Sequence, residues 1–270
     1  MFWLRCTSRY ALHRVGLYLP VAVAACCLTN IVAVAQSDDL PKAETILDRY
    51  IEVTGGRAAY EKLKNRVSKG TFDIAAAGIK GTIMLYQAAP DKLYSITELP
   101  GMGTVKEGSN GTVAWEQNPM MGPHLKQGKE KATALREAAF NAELHWRKLF
   151  KKVQTKGIED VNGKPAYKVE LTPVEGNPET RYFDKESGLH VKTTTVYPSQ
   201  MGDIPAEVLV RDYKEVDGVK IAHKIVLDFA MQEMVLTFEK IEHNVDLPKD
   251  RFDLPADIKA LLKKTQSGGE

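Results

Sequence analysis

The sequence predicts an α+β fold, in which one long antiparallel sheet carries helices packed on one of its faces. Three observations predict it. From Val67 onward apolar residues recur at every second position, as in Thr82-Ile83-Met84-Leu85-Tyr86 and Tyr167-Lys168-Val169-Glu170-Leu171. Short turns separate these runs, among them Asn162-Gly163 and Asp217-Gly218, pairs that favour tight hairpins. Helical periodicity is confined to 41–63 and 130–152, which leaves too few helices for parallel crossovers.

The N-terminus reads as an export signal over residues 1–35. Arg5, Arg9 and Arg14 stand in a segment without acids, Val15 to Ala25 is almost wholly apolar, and Ala33-Val34-Ala35 offers a small-x-small cleavage site before Gln36. Pro20 and Thr29-Asn30 interrupt the apolar run, so the ~20 apolar residues of a membrane span are not reached. Val23-Ala24-Ala25-Cys26 is similar to a lipobox, and a lipoprotein anchored through Cys26 is the second reading. Cys6, Cys26 and Cys27 all lie in the removable segment, so the exported chain has no thiol and no disulfide. Cleavage also removes three of the 37 basic residues and none of the 35 acidic ones. The balance becomes slightly acidic, which excludes a nucleic-acid binder.

The domain is expected over 36–256. Pro41 opens an amphipathic helix with Ile46, Leu47, Tyr50 and Ile51 on one face, closed by Gly55-Gly56; a second short helix runs from Arg57 to Leu63. Strands follow at 70–74, 82–86, 93–99, 104–107 and 112–116, then a Pro/Gly/Met loop over 117–128. Glu130 to Lys152 reads as the longest helix, with Leu135, Ala139, Ala142, Trp146 and Leu149 on its packing stripe. The rest is strand and hairpin: 157–161, 167–171, the pair flanking Asp184-Lys185-Glu186-Ser187-Gly188, 207–213, 220–229 and 233–241. That makes about ten or eleven strands. Asp250 to Ala256 is expected to be extended, and 257–270 is expected to be a polar tail, unordered from Lys263.

No chemistry is nominated. Among His124, His145, His190, His223 and His243 no two stand at helical ligand spacing, and there is no His-Glu-x-x-His, so no metal site is expected. No Gly-x-Ser-x-Gly elbow occurs, and the glycine-rich pieces at 101–103 and 108–111 do not open helices, so no phosphate cradle, cofactor or enzymatic role is expected.

The positive signal is an apolar sheet face. One set of strand residues reads Phe72, Ile74, Ile83, Leu85, Tyr94, Ile96 and Trp115; another reads Tyr167, Val169, Leu171, Leu189, Val191, Ile225, Leu227, Phe229, Met234, Leu236 and Phe238. At ~1.5–3 kcal/mol per buried large side chain, this face must be covered. A helix over 130–152 spans roughly 34 Å. A ten-stranded sheet spans roughly 48 Å before it curls. Part of the face is left for something else: side chains that fill a closed core, or a lipid.

The stretches "YQAAPDKLY", "EGSNGTVAWEQNP", "DVNGKPAYKVELTP", "RYFDKESGLHVKT" and "DYKEVDGVKIAHKI", in this order around the helices, resemble the periplasmic lipoprotein-carrier superfamily typified by LolA and LolB, above all its uncharacterised exported members. The resemblance runs from about 41 to 256 and rests on hairpin signatures. It implies an incomplete, half-open antiparallel β-barrel with helices plugging the concave side, a periplasmic monomer, and an apolar cavity that sequesters lipid or lipoprotein acyl chains without chemistry. The strand residues above are then cavity candidates, and the 130–152 stripe is the lid. The family's arginine before a proline, which ties sheet to lid, is here Ala89 before Pro90, with Arg66 and Arg181 as the arginines that could take its place. The resemblance therefore implies general lipid binding before lipoprotein transfer. The alternative is an envelope sensor or interaction module with a closed core, whose partner is a protein reached through the Met120-Met121 loop.

Overall fold

A computed structural model describes residues 40–200, 202–229 and 232–267. The expected export signal, Cys26 included, lies outside the described residues. The order of elements is α1 (Ala43–Val53), α2 (Arg57–Tyr60), β1 (Asn65–Ile74), β2 (Ile79–Ala88), β3 (Lys92–Leu99), β4 (Gly103–Ser109), β5 (Ala114–Asn118) and β6 (Gly122–Leu125). Then come α3 (Gly128–Ala138), α4 (Trp146–Leu149), β7 (Phe150–Val161), β8 (Lys164–Pro173), β9 (Glu179–Asp184), β10 (His190–Ser199), β11 (Gly202–Val216), β12 (Val219–Asp228), β13 (Glu233–His243) and α5 (Ala256–Ser267).

All thirteen strands form one antiparallel sheet in the order β6-β5-β4-β3-β2-β1-β13-β12-β11-β10-β9-β8-β7. Strands that are neighbours in sequence pair in space except β6 and β7, which lie at opposite ends of the sheet, and β1 pairs with β13 near its centre. The sheet is open, with β6 and β7 as its edges. Register shifts at Lys69/Gly70, His190/Lys192, Phe150/Lys152 and Thr155/Gly157 add local twist, so the sheet curls as the half-open barrel predicts. Thirteen strands replace the ten or eleven expected, in part because Gly122–Leu125, read as loop, pairs with β5.

On the inner face of β7–β9, α1 buries Ala43, Ile46, Leu47 and Ile51 against Val169, Leu171 and Phe183. Its end is fixed by Thr54, whose hydroxyl donates to the Tyr50 carbonyl at 2.6 Å. The next residue must be glycine: Gly55 has φ +135°, and a Cβ there would lie 2.3 Å from the Gly218 carbonyl oxygen. That approach lets the Lys220 amide donate to the Thr54 carbonyl at 2.7 Å, which pins the helix end to the β11–β12 hairpin.

Two expectations are corrected. The helix over 130–152 is broken: α3 ends at Ala138, Asn141 turns the chain at φ +50°, a single 3-10 turn covers Ala142–His145, and Phe150 already belongs to β7. Tertiary bonds override the helical period here. Phe140 N–H donates to the Pro90 carbonyl at 2.9 Å, Asn141 Nδ2 donates to the Tyr60 carbonyl at 3.0 Å, and Arg66 donates to Asn141 Oδ1 at 3.3 Å. The polar tail expected over 257–270 is helical in α5 as far as Ser267, with Ile258 fully buried. Ile258, Leu261 and Leu262 have the i, i+3, i+4 spacing of a short packing stripe.

This C-terminal segment covers the outer face of β2–β5. Tyr86, Tyr94 and Trp115 form a row with ring centroids 6.1 and 5.9 Å apart, and the Arg251 guanidinium lies 4.4 Å from the Tyr86 ring centre. Asp257 accepts from Gln117 at 2.6 Å. The sheet is therefore covered on both sides, by different parts of the chain. Among the described residues, no helix is long and apolar enough to cross a membrane.

Candidate functional site

Between α1 and α3 the inner face of the middle strands is not filled. Two adjoining cavities lie there, of about 370 and 250 Å³, and both are lined by Tyr50, Glu143 and His190. Strand pleating decides what each one sees. In the larger, β1 and β2 present Arg66, Ser68, Ile83, Leu85 and Gln87, while β12 and β13 present Lys220, Ile221, Ile225, Leu236, Phe238 and Ile241. Register accounts for the grouping, because Gly70 stands between Ile83 and Phe238, and Ile225 stands opposite Leu236. The smaller cavity lies under α3 and is the more highly charged: Thr133, Arg136 and Glu137 come from the helix, Glu179 and Arg181 from β9, and Thr193, Thr195 and Tyr197 from β10, with Ala142, Leu149 and Val208 as apolar wall.

The aromatic wall between the two is hydrogen-bonded. Tyr213 donates to the His190 carbonyl at 2.8 Å, its hydroxyl lies 3.4 Å from that of Tyr50, and the Tyr60 hydroxyl donates to Thr54 Oγ1 at 2.9 Å. Burial pushes the Tyr50, Tyr60 and Tyr213 phenols well above their ordinary range, so all three are neutral donors. Burial, seconded by the Arg181 charge, lowers the His190 imidazole to about 3. A neutral ring is consistent with its place 5.5 Å from the Phe183 ring, with Nε2 bonded to the Lys192 carbonyl at 2.9 Å.

The charges are arranged around shared acids. Arg181 Nη2 lies 2.6 Å from Glu179 Oε1, and Arg136 Nη2 lies 3.6 Å from Glu179 Oε2. Burial alone would lower the Arg181 pKa, but Glu179 outweighs it and the guanidinium stays firmly charged. Burial lowers Arg66, whose Nε donates to His243 Nε2 at 3.1 Å. Glu137 reaches water through the cavity yet is ringed by protein, and that enclosure raises its carboxyl to about 7 against the opposing pull of Lys126 and Arg136.

Five of the sequence-predicted cavity residues line the larger space: Ile83, Leu85, Ile225, Leu236 and Phe238. Leu227 and Met234 face each other further along the same two strands, and the Phe229 ring lies 6.3 Å from Tyr197. The others lie elsewhere. Val169 and Leu171 are sealed beneath α1 with Tyr167 packed beside them, so they are core. Phe72 is buried over Gly81, and Ile74 is buried at the end of β1. Tyr94 and Trp115 belong to the outer row, and Ile96, two residues along β3 from Tyr94, points the same way. The bulge at His190/Lys192 turns Val191 to the outer face, where it packs with Val161, Ala166 and Tyr182. Leu189 ends the turn before β10 and accepts from the Asp184 amide.

Of the lid residues, Ala142 and Leu149 line the smaller cavity. Leu135 faces an outer groove with Val174, Ala139 ends α3, and Trp146 is buried in the core with Nε1 donating to Asp48. Of the two arginines considered as ties from sheet to lid, Arg66 reaches the lid turn at Asn141, whereas Arg181 pairs with Glu179. The charged lining was missed in the sequence because Glu179, Arg181 and Phe183 alternate with Thr180, Tyr182 and Asp184, so neither face of β9 reads as apolar. Among the described residues no group of acids and histidines has metal-binding geometry.

Neither a family model nor a curated relative matches the chain. Solved structures do. A DUF1329-family protein from Desulfovibrio piger superposes with a TM-score of 0.55 at 12% identity, covering 78% of this chain and 97% of its own. A LolA-superfamily protein from Nitrosomonas europaea gives 0.55 at 14% identity, covering 80% and 99%. An outer membrane lipoprotein-sorting protein domain from Vibrio parahaemolyticus gives 0.53 at 15%, covering 82% and 99%. The chain therefore has the open, LolA-type half-barrel fold.

Proposed function

We propose that the protein is a non-enzymatic carrier of the bacterial envelope that shelters an acyl-chain amphiphile between its sheet and its lid. The observation that carries this reading is the cavity of about 370 Å³ at the centre of the sheet, whose wall is mainly apolar, with Ile83, Leu85, Ile225, Leu236 and Phe238, and is joined by Arg66, Gln87, Glu143 and Lys220. It falls within the ~300–1,000 Å³ of small-molecule sites. Each methylene placed there contributes ~0.8 kcal/mol, so an acyl chain gains affinity from burial alone. The resemblance of the Vibrio domain to this chain supports the same class of cargo. The export signal expected over residues 1–35 supports a periplasmic location, where an amphiphile needs shelter from water. The same open space argues against the closed-core sensor.

The test is to purify residues 36–270 without detergent and to run native and lipid mass spectrometry on the intact protein and on its organic extract. A bound amphiphile near one equivalent is the expected result. A clean protein that also takes up no added lipid would refute the reading.

A further inference from the structure

We propose that the smaller cavity under α3 is a headgroup site for a monoanionic oxyanion, a carboxylate or a phosphodiester, whose acyl chain continues into the larger cavity. This rests on the carrier reading and names its cargo more closely. The two spaces meet at Tyr50, Glu143 and His190, so a single molecule can occupy both.

The first observation is the arginine pair. Arg136 and Arg181 stand on opposite walls, from α3 and β9, and both guanidiniums lie over the Phe150 ring at 6.0 and 5.3 Å. One carboxylate, Glu179, serves both, and Arg136 spends another donor on the Glu175 carbonyl at 3.2 Å. Each guanidinium has five N–H donors, so several remain for an oxyanion. The second observation is independent. Thr133 is only 7% exposed, lines the same cavity, and its hydroxyl has no hydrogen-bond partner. A buried hydroxyl left without a partner needs an explanation, and a headgroup oxygen supplies one.

Across the two joined spaces Arg66, Arg136, Arg181 and Lys220 face Glu137, Glu143 and Glu179, although the cavity under α3 by itself holds Arg136 and Arg181 against the three acids. The groups facing Glu137 are Lys126 ahead of α3, Arg136 on α3, Glu107 on β4, Glu179 on β9 and Tyr197 on β10; Lys126 is itself paired with Glu107 at 2.9 Å. Four cations against three acids leave the joined spaces one positive charge in excess with Glu137 ionised, which suits one bound anion, and loss of the Glu137 charge adds to that excess.

The experiment measures binding of dodecanoate, dodecan-1-ol and dodecylammonium to the mature protein by calorimetry at pH 8. Dodecanoate is expected to bind about tenfold tighter than the alcohol, a ratio typical of a charge-assisted contact, with the ammonium weakest. Arg181→Met and Thr133→Val should each shrink that ratio. Glu137→Gln should move it the other way, by removing a competing negative charge. Equal affinities for all three ligands, with no response to the variants, would overturn the headgroup site while leaving the carrier reading intact. Binding of none of them would overturn both. Acetate or inorganic phosphate binding as tightly as dodecanoate would make this a free-anion site and overturn the amphiphile. If Arg181→Met fails to fold, Thr133→Val and Glu137→Gln, with their opposite signs, decide.

Discussion

His190 should make the protein sensitive to mild acid, and replacing it should remove that sensitivity. Its imidazole is enclosed by Tyr50 and Phe183, at ring distances of 6.2 and 5.5 Å, and is held neutral in the fold down to about pH 3 by burial and by Arg181. In the unfolded chain it takes up a proton near pH 6.5. The unfolded state therefore binds the proton first as pH falls. The contribution of His190 is complete above about 6.5, declines below it, and stops declining near 3. At pH 5 the gap already spanned is about 1.5 units, or about 2 kcal/mol at 1.36 kcal/mol per unit. Water in the adjoining cavities makes this an upper value. For a chain of this size the loss corresponds to a fall in Tm of roughly 4–8 °C. The assay is urea unfolding of the wild type and His190→Gln at pH 7.5 and pH 5. Other carboxylates and histidines titrate in both proteins, so the quantity that matters is the difference between the two pH-induced changes. A value of about 1–2 kcal/mol, with the wild type losing more, is expected. A value below about 0.5 kcal/mol would show that His190 is not held neutral by the fold, and the argument would fail.

Three further perturbations test other parts of the structure. Ile225→Trp should fill the larger cavity and abolish amphiphile binding by calorimetry, yet cost less than the ~1–3 kcal/mol of ordinary overpacking, because the space already exists; unchanged binding would move the cargo elsewhere. Gly70→Ala should cost about 3 kcal/mol of unfolding free energy measured in urea, since its Cβ would lie 2.2 Å from the Thr237 carbonyl oxygen in the β1–β13 pairing; a neutral effect would contradict that register. Ending the chain after Lys249 should cost about 2–4 kcal/mol and shift tryptophan emission to the red, because the buried Ile258 is lost and Arg251 leaves the outer aromatic row that holds Trp115; an unchanged spectrum would show that the row needs no cover.

The sheet was legible because its signals are local. Alternation and turn pairs such as Asn162-Gly163 act within a few residues, and each strand from β7 to β13 pairs with its sequence neighbour. What was illegible depends on long-range bonds. Glu130 to Lys152 carries a helical stripe throughout, yet Asn141 is drawn out of it by Tyr60 and Arg66, which the sequence places far away. Faces were hard to assign for the same reason. Tyr94 and Leu85 are both apolar and lie on neighbouring strands, but Leu85 stands opposite Ser95, so Tyr94 points outward. One bulge was enough to separate Val191 from Thr193. The charged part of the site gave no pattern at all, because Arg136, Glu137, Glu179 and Arg181 acquire meaning only once α3 is laid across β9 and β10.

The pairing of β1 with β13 has a consequence for when the site can exist. The sheet is two meanders running outward from this seam, β1 to β6 on one side and β13 back to β7 on the other. Phe72 stands opposite Leu236 and Ser68 opposite Ile241, so the floor of the larger cavity is laid by segments more than half the chain apart. Closing so long a loop is entropically costly and slow compared with forming hairpins. Each meander can assemble as soon as its own hairpins are present, but neither holds a pocket. A partly synthesised chain thus has exposed strands and no cavity, and the space lined by Ile83, Leu236 and Phe238 takes shape only after the last strand has docked against the first.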